Sequence, residues 1–271
     1  MKFSMSDAWN EATAMMGANR EVLLIVAGIF FFLPALALSF AMGDIQQLMR
    51  VDDTAAMQQA LADFYGSQWW LLLLGFLAQI VGYLALLALL RDAAQPTVGD
   101  AIKTGLKGLL PAIGVYLLIA VAFGVALGLL AAVAGGTGSV AVTGVISIIG
   151  VTALIAALVK TALAAPVIAI DKVYNPFKVL ARSWRLTNGN GFRLLLFFLL
   201  IFIVYAVVSM VVGVILQALL FLLGDSVSVV LNGLLSGLLG AVVAVVLVAV
   251  LAAVHRQLAG PSAQAVSATF E

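Results

Sequence analysis

Cysteine is absent from this chain and histidine occurs once, as His255. The first absence excludes disulfides, thiolate metal sites and cysteine nucleophiles, and leaves the redox compartment unreadable. The second excludes any histidine pair. Charge is scarce too: Asp, Glu, Lys and Arg supply 9% of 271 residues, where about a quarter is usual for a soluble domain. Apolar residues fill the space, at 65%, and mean hydropathy is +1.23. A chain this greasy and this poor in charge belongs in a bilayer.

Six runs with almost no charge are long enough to span one, which takes about 20 apolar residues each. They are Glu21–Met42, Gln68–Leu90, Gly108–Ala134, Ser139–Leu163, Gly191–Leu223 and Val227–Val254. Each should be a helix, because a span must satisfy its own backbone hydrogen bonds in hydrocarbon. The expected fold is an all-α polytopic membrane protein forming one membrane domain over 1–271. The first run is read as a retained span, not a leader. The region before it carries Asp7 and Glu11, and the run exceeds a signal core.

The cations give the orientation. With six crossings, every lysine and arginine but Arg50 falls on one side: Lys2, Arg20, Arg91, Lys103, Lys107, Lys160, Lys172, Lys178, Arg182, Arg185, Arg193 and Arg256. The opposite loops hold Asp44, Asp52, Asp53, Asp63 and Asp225, and the glycine-rich turn 135–138. The positive-inside rule then puts both termini and the two basic loops in the cytoplasm.

A short amphipathic stretch with helix-start signals precedes spans one, three and five. Ser4 with Asp7 and Thr97 with Asp100 read as caps. Asn175-Pro176 reads as a cap followed by proline at the first helical position. Trp9, Ala12 and Met16 share one face, as do Ile102, Leu106 and Leu109, and Phe177, Leu180, Ala181 and Trp184. The chain thus divides into three units of interfacial helix plus hairpin, at 1–95, 96–173 and 174–260, with a tail at 261–271. A three-fold pseudo-repeat is the corresponding expectation. The outer loop of unit one has its own amphipathic run, Asp53–Tyr65, expected to lie on the membrane surface near Trp69 and Trp70.

Specific motifs add a resemblance. Ala165-Pro166-Val167-Ile168 leads to Asp171-Lys172, then Arg182-Ser183-Trp184-Arg185-Leu186-Thr187, then Gly191-Phe192-Arg193 opening a span. With Pro96–Pro111, the Gln- and Ala-rich outer run and terminal Val254-His255-Arg256-Gln257, this resembles the YciC-like bacterial inner-membrane family. That family is related to the membrane domain attached to some glycerophosphoryl diester phosphodiesterases. The resemblance covers most of the chain and implies a six-span protein of the bacterial cytoplasmic membrane. It does not imply the phosphodiesterase activity, whose soluble barrel needs paired histidines and metal-binding carboxylates.

The strongest chemical feature is the basic stripe of Lys178, Arg182 and Arg185, with Lys172 and Arg193 nearby and Lys103 and Lys107 on the other inner loop. These are the candidate contacts for anionic lipid headgroups, each charge contributing about 1 kcal/mol near an acidic surface. The plainer reading is topology and surface anchoring. Lys160 stands near the inner end of span four, within reach of snorkelling. Asp171 has basic neighbours to pair with. Gln79, Gln217 and Asn232 are polar positions inside spans, suited to interhelical hydrogen bonds or a polar cavity. Gly124/Gly128, Ser209/Gly213, Gly233/Gly237 and Ser236/Gly240 have the spacing for close helix approach, inside the bundle or between copies. Pro34, Pro111 and Pro166 either kink or end their spans.

No catalytic constellation, metal site, cofactor motif or nucleic-acid patch is visible. The expectation is therefore a non-enzymatic integral membrane protein that contacts anionic lipids and serves envelope or membrane homeostasis. The alternative is a transporter or channel for a lipid or small solute, and under either reading the Gly/Ser faces offer a route to a homo-oligomer.

Overall fold

The computed structural model describes residues 2–42, 54–91, 97–223 and 225–260. Arg50, Asp44, Asp52, Asp53 and the tail lie outside the described residues. Those described are helical with short connections, and six helices are long and apolar enough to cross a membrane. The chain is an all-α multi-pass membrane protein.

Helix α1 is Met5–Ala18, α2 Arg20–Ala41, α3 Thr54–Leu89, α4 Val98–Thr137 and α5 Val140–Thr161. Then come α6 Ala164–Ala169, α7 Pro176–Thr187, α8 Gly191–Leu223 and α9 Asp225–Ala259. The spans pack as neighbours in the order α2, α3, α4, α5, α8, α9, and α9 closes the ring on α2. Short α6 sits inside one end, touching α3, α4, α7 and α9. That end carries the cations and is the basic end below.

The three starts are capped as their residues dictate. Asp7 N–H donates to Ser4 Oγ at 3.4 Å, Asp100 N–H to Thr97 Oγ1 at 3.2 Å and Lys178 N–H to Asn175 Oδ1 at 3.2 Å. Two expectations change. The stretch before span three is no separate interfacial helix: α4 runs unbroken through Pro111. The outer run after Asp53 does not form its own surface helix either, because α3 runs unbroken from Thr54 to Leu89. In neither case does the sequence supply a stop between amphipathic and apolar parts. From Trp69 to Arg91 is about 33 Å of helix at 1.5 Å per residue, one hydrocarbon thickness, so the first turns of α3 extend past it. Pro34 does perturb its span. It gives Phe30 no backbone donor, and a π-helical turn at Gly28–Phe32 precedes it.

Small residues, not large apolar ones, make the closest contacts. On α4 the buried stripe is Ala101, Gly105, Gly108, Ala112 and Val115. A Cβ on Gly108 would come 2.7 Å from Leu84 Cδ1 and 2.9 Å from Ile168 Cγ2. Leu106, on the apolar face with Ile102 and Leu109, is exposed. On α1 the buried residues are Ala8, Ala12 and Met15, while Trp9 stays exposed. Gly233 and Gly237 seat α9 against Ser39 and Phe32 of α2. That pair packs within the chain. Gly124, Gly128, Gly213 and Gly240 meet nothing.

Candidate functional site

At the basic end, α6 stops through Lys172, whose φ of 56° puts a non-glycine residue in the left-handed region. Val173 N–H reaches back over the turn to Val167 O at 3.3 Å, closing the end of the helix. Glycine usually takes that position, since a side chain there costs about 1 kcal/mol. The turn presents Asp171 to two helices. Arg182 of α7 donates its Nε–H to Asp171 Oδ2, and His255 Nε2 of α9 lies 3.1 Å from the same oxygen. His255 is 3% exposed. Burial pushes the Asp171 carboxyl up, but the hydrogen bonds and charges of His255 and Arg182 more than reverse this, leaving it below its usual range.

Helix α7 lies on the bundle through Val179, Ser183 and Thr187. Ser183 Oγ donates to Lys160 O at 2.7 Å, holding α7 against the end of α5. Of the apolar stripe of α7, Leu180 packs against the core while Phe177 and Trp184 face outward, at 69% and 51% exposure. That is the preference of aromatics at a membrane interface. Lys160 bends to this level as well. Its Nζ donates to Asn188 Oδ1 at 3.3 Å and stands 5.7 Å from the Trp184 ring centre.

Arg182, Arg185, Asn188 and Asn190, with Leu186 and Leu258, line a polar pocket of about 360 Å³. One wall is stapled by the N-terminal segment. Phe3 N–H donates to Asn190 Oδ1 at 3.0 Å, and the Phe3 ring packs on Phe197 at 5.4 Å. Arg193 reaches Phe3 O at 3.5 Å, Gln257 accepts from Ser4 N–H at 3.3 Å and Arg256 pairs with Glu11 at 2.8 Å. Three consecutive residues of α9 thus hold three different partners: His255 the α6 turn, Arg256 helix α1, and Gln257 the segment before it.

The structure therefore brings Arg182 and Arg185 together and puts exposed Lys172 and Lys178 on the adjoining turn and helix. Arg193 sits across, on the N-terminal segment. Lys103 lies elsewhere, 4.0 Å from Asp100, and Lys107 is exposed one turn further along α4. Gln217 and Asn232 share a second pocket, between α8 and α9, while exposed Gln79 lines none of the pockets described here. Sequence reasoning assigned no part to His255, Asn188 or Asn190. The signals were the one histidine in an apolar chain and the asparagines of the turn after α7. Among the described residues, no three His, Cys, Asp or Glu side chains gather as a metal site would require.

Chemically, the pocket offers guanidinium and amide donors at a membrane surface, the equipment for phosphate oxygens. No family model, curated protein or solved structure matches this chain.

Proposed function

We propose that this chain is a non-catalytic protein of the bacterial cytoplasmic membrane that holds anionic lipid headgroups at its cytoplasmic, basic end. The observation that carries the reading is the pocket shared by Arg182, Arg185, Asn188 and Asn190 beside two exposed lysines. Arg182 is partly neutralised by Asp171, so its role is to anchor α7, and Arg185, Lys178 and Lys172 supply the attraction. Three such charges amount to about 3 kcal/mol at an acidic surface, weakened by salt. The outward Phe177 and Trp184 suit a helix lying at headgroup depth. A role in envelope or membrane homeostasis, and the resemblance to the YciC-like family, agree with this reading.

The test is purification from native membranes with mass spectrometry of retained lipid. Lys178→Gln combined with Arg185→Gln should lose most co-purifying phosphatidylglycerol or cardiolipin while the helical signal persists. Unchanged retention would end the headgroup reading.

Transport of a lipid or small solute is the second reading, drawn from the pocket of Gln217 and Asn232. It would need a polar route to the basic end, and the seam between is apolar among the described residues.

A further inference from the structure

Helices α8 and α9 meet along a seam with two adjoining pockets of different character. On α8 a single face runs from Phe197 through Ile201, Val204 and Val208 to Ser209, Gly213 and Gln217. On α9 the matching face runs from Leu247 through Val243 and Leu239 to Ser236 and Asn232. The part near the basic end is an apolar groove of about 500 Å³, closed below by Trp9 and Met5 of α1. The far part is a pocket of about 220 Å³ with four polar side chains: Ser209, Gln217, Asn232 and Ser236. Leu239 lines both, so the two adjoin.

The polar part is incompletely satisfied. Hydroxyls within apolar helices ordinarily bond back to the carbonyl four residues earlier. Thr152 does so to Ile148 O, and Ser147 to Thr143 O, each at 2.8 Å. Ser209 does not: its Oγ is buried and has no hydrogen-bond partner. Ser236 Oγ contacts Asn232 Oδ1 at 3.3 Å, which leaves the Asn232 amide hydrogens unengaged among the described residues. A buried hydroxyl without a partner costs about 1–3 kcal/mol, so a guest with its own donors and acceptors gains by entering. Among the described residues no charged side chain lines either part, and an ionised group placed there would lack a counter-charge from them. The apolar groove from Phe197 to Val208 is about 16 Å long, close to half the hydrocarbon thickness.

We infer that the α8/α9 seam is a binding site for a lipid with an uncharged, hydrogen-bonding head. A glyceride or other lipid alcohol would place its hydroxyls between Ser209 and Asn232 and lay an acyl chain along the groove toward Trp9. This site is separate from the basic pocket in place and in charge preference. Anionic headgroups go to one end of the molecule and neutral heads to the other.

The experiment uses the full chain in phosphatidylcholine nanodiscs with two photoreactive probes that share one diazirine-bearing acyl chain. One is a diacylglycerol and the other a phosphatidylglycerol. The diacylglycerol should label Val204–Val208 and Leu239–Val243 at least about fivefold more than the anionic probe. Asn232→Leu should cut that labelling about tenfold, and Ser209→Ala about threefold, the scale of hydrogen bonds inside a membrane. Val204→Trp, which fills the groove without touching the polar end, should also abolish it. Lys178→Gln with Arg185→Gln should leave it intact, so failure of the headgroup reading would not remove this one. A cooperative thermal melt in the nanodisc reports that each variant is folded. Equal labelling by both probes would overturn the inference. So would indifference to Asn232→Leu and Ser209→Ala, or cross-links joining two copies through this seam.

Discussion

The two halves of the molecule are held together by different means. At the basic end, side chains from α1, α7, α9 and the turns after α6 and before α8 are linked by hydrogen bonds and ion pairs, and the buried core is concentrated there. Toward the far end, α4, α5 and α8 present Leu, Val and Ile outward along most of their length. In water that exposure would be untenable. In hydrocarbon it costs nothing, because lipid tails are as apolar as the side chains. The basic end meets water and headgroups, where position must be fixed by directional contacts. The far half needs only small-residue packing and its own helical hydrogen bonds.

Removing a contact from each half is the sharpest way to break this contrast. Asp171→Leu strips the acceptor from both Arg182 and buried His255 and should lower stability by about 3 kcal/mol. Asn232→Leu in the far half should change it by less than about 1 kcal/mol. Thermal melting in detergent compares the two, and equal losses would erase the distinction. Glycine substitution gives the next largest effect. Gly108→Ala forces a methyl onto Leu84 and Ile168, whereas Gly124→Ala meets open space. Their melting should differ by about 2 kcal/mol, with Gly124→Ala the more stable. Arg256→Gln releases a half-exposed pair with Glu11 and should cost about 1 kcal/mol.

The smallest effect is one of pH. The folded Asp171 carboxyl titrates below its ordinary value, so its stabilisation is complete above about pH 4, the unfolded pKa, and fades as pH falls through the lower folded one. The melting gap between the parent chain and Asp171→Asn should close as pH falls below about pH 4. A gap that closes near neutrality would mean that a different group controls this end.

Sequence reasoning reached the class of the fold and left its contact faces unassigned. Length and hydropathy located all six spans, and caps at Ser4, Thr97 and Asn175 located three helix starts. Patterning grouped Leu106, Trp9 and Trp184 on apolar faces without saying what those faces would meet, and all three are exposed. The actual inward residues are Ala101, Gly105 and Gly108 on α4, Ala8 and Ala12 on α1, and Ser183 on α7. Close approach, not exclusion from water, selects the contact face here. At the candidate site, Arg182 and Arg185 were visible as a stripe. The tie from Asp171 to His255 was not, because it joins residues 84 positions apart and no local pattern encodes it.

The orientation underlies everything proposed for the basic end, and the absence of native cysteine makes it directly measurable. Single cysteines at exposed Ala62 and Lys107 (Ala62→Cys and Lys107→Cys) can be treated with a membrane-impermeant maleimide on intact bacterial cells. Ala62→Cys should react at once and Lys107→Cys only after the inner membrane is permeabilised. The reverse pattern would turn the cations away from the cytoplasm and contradict the account.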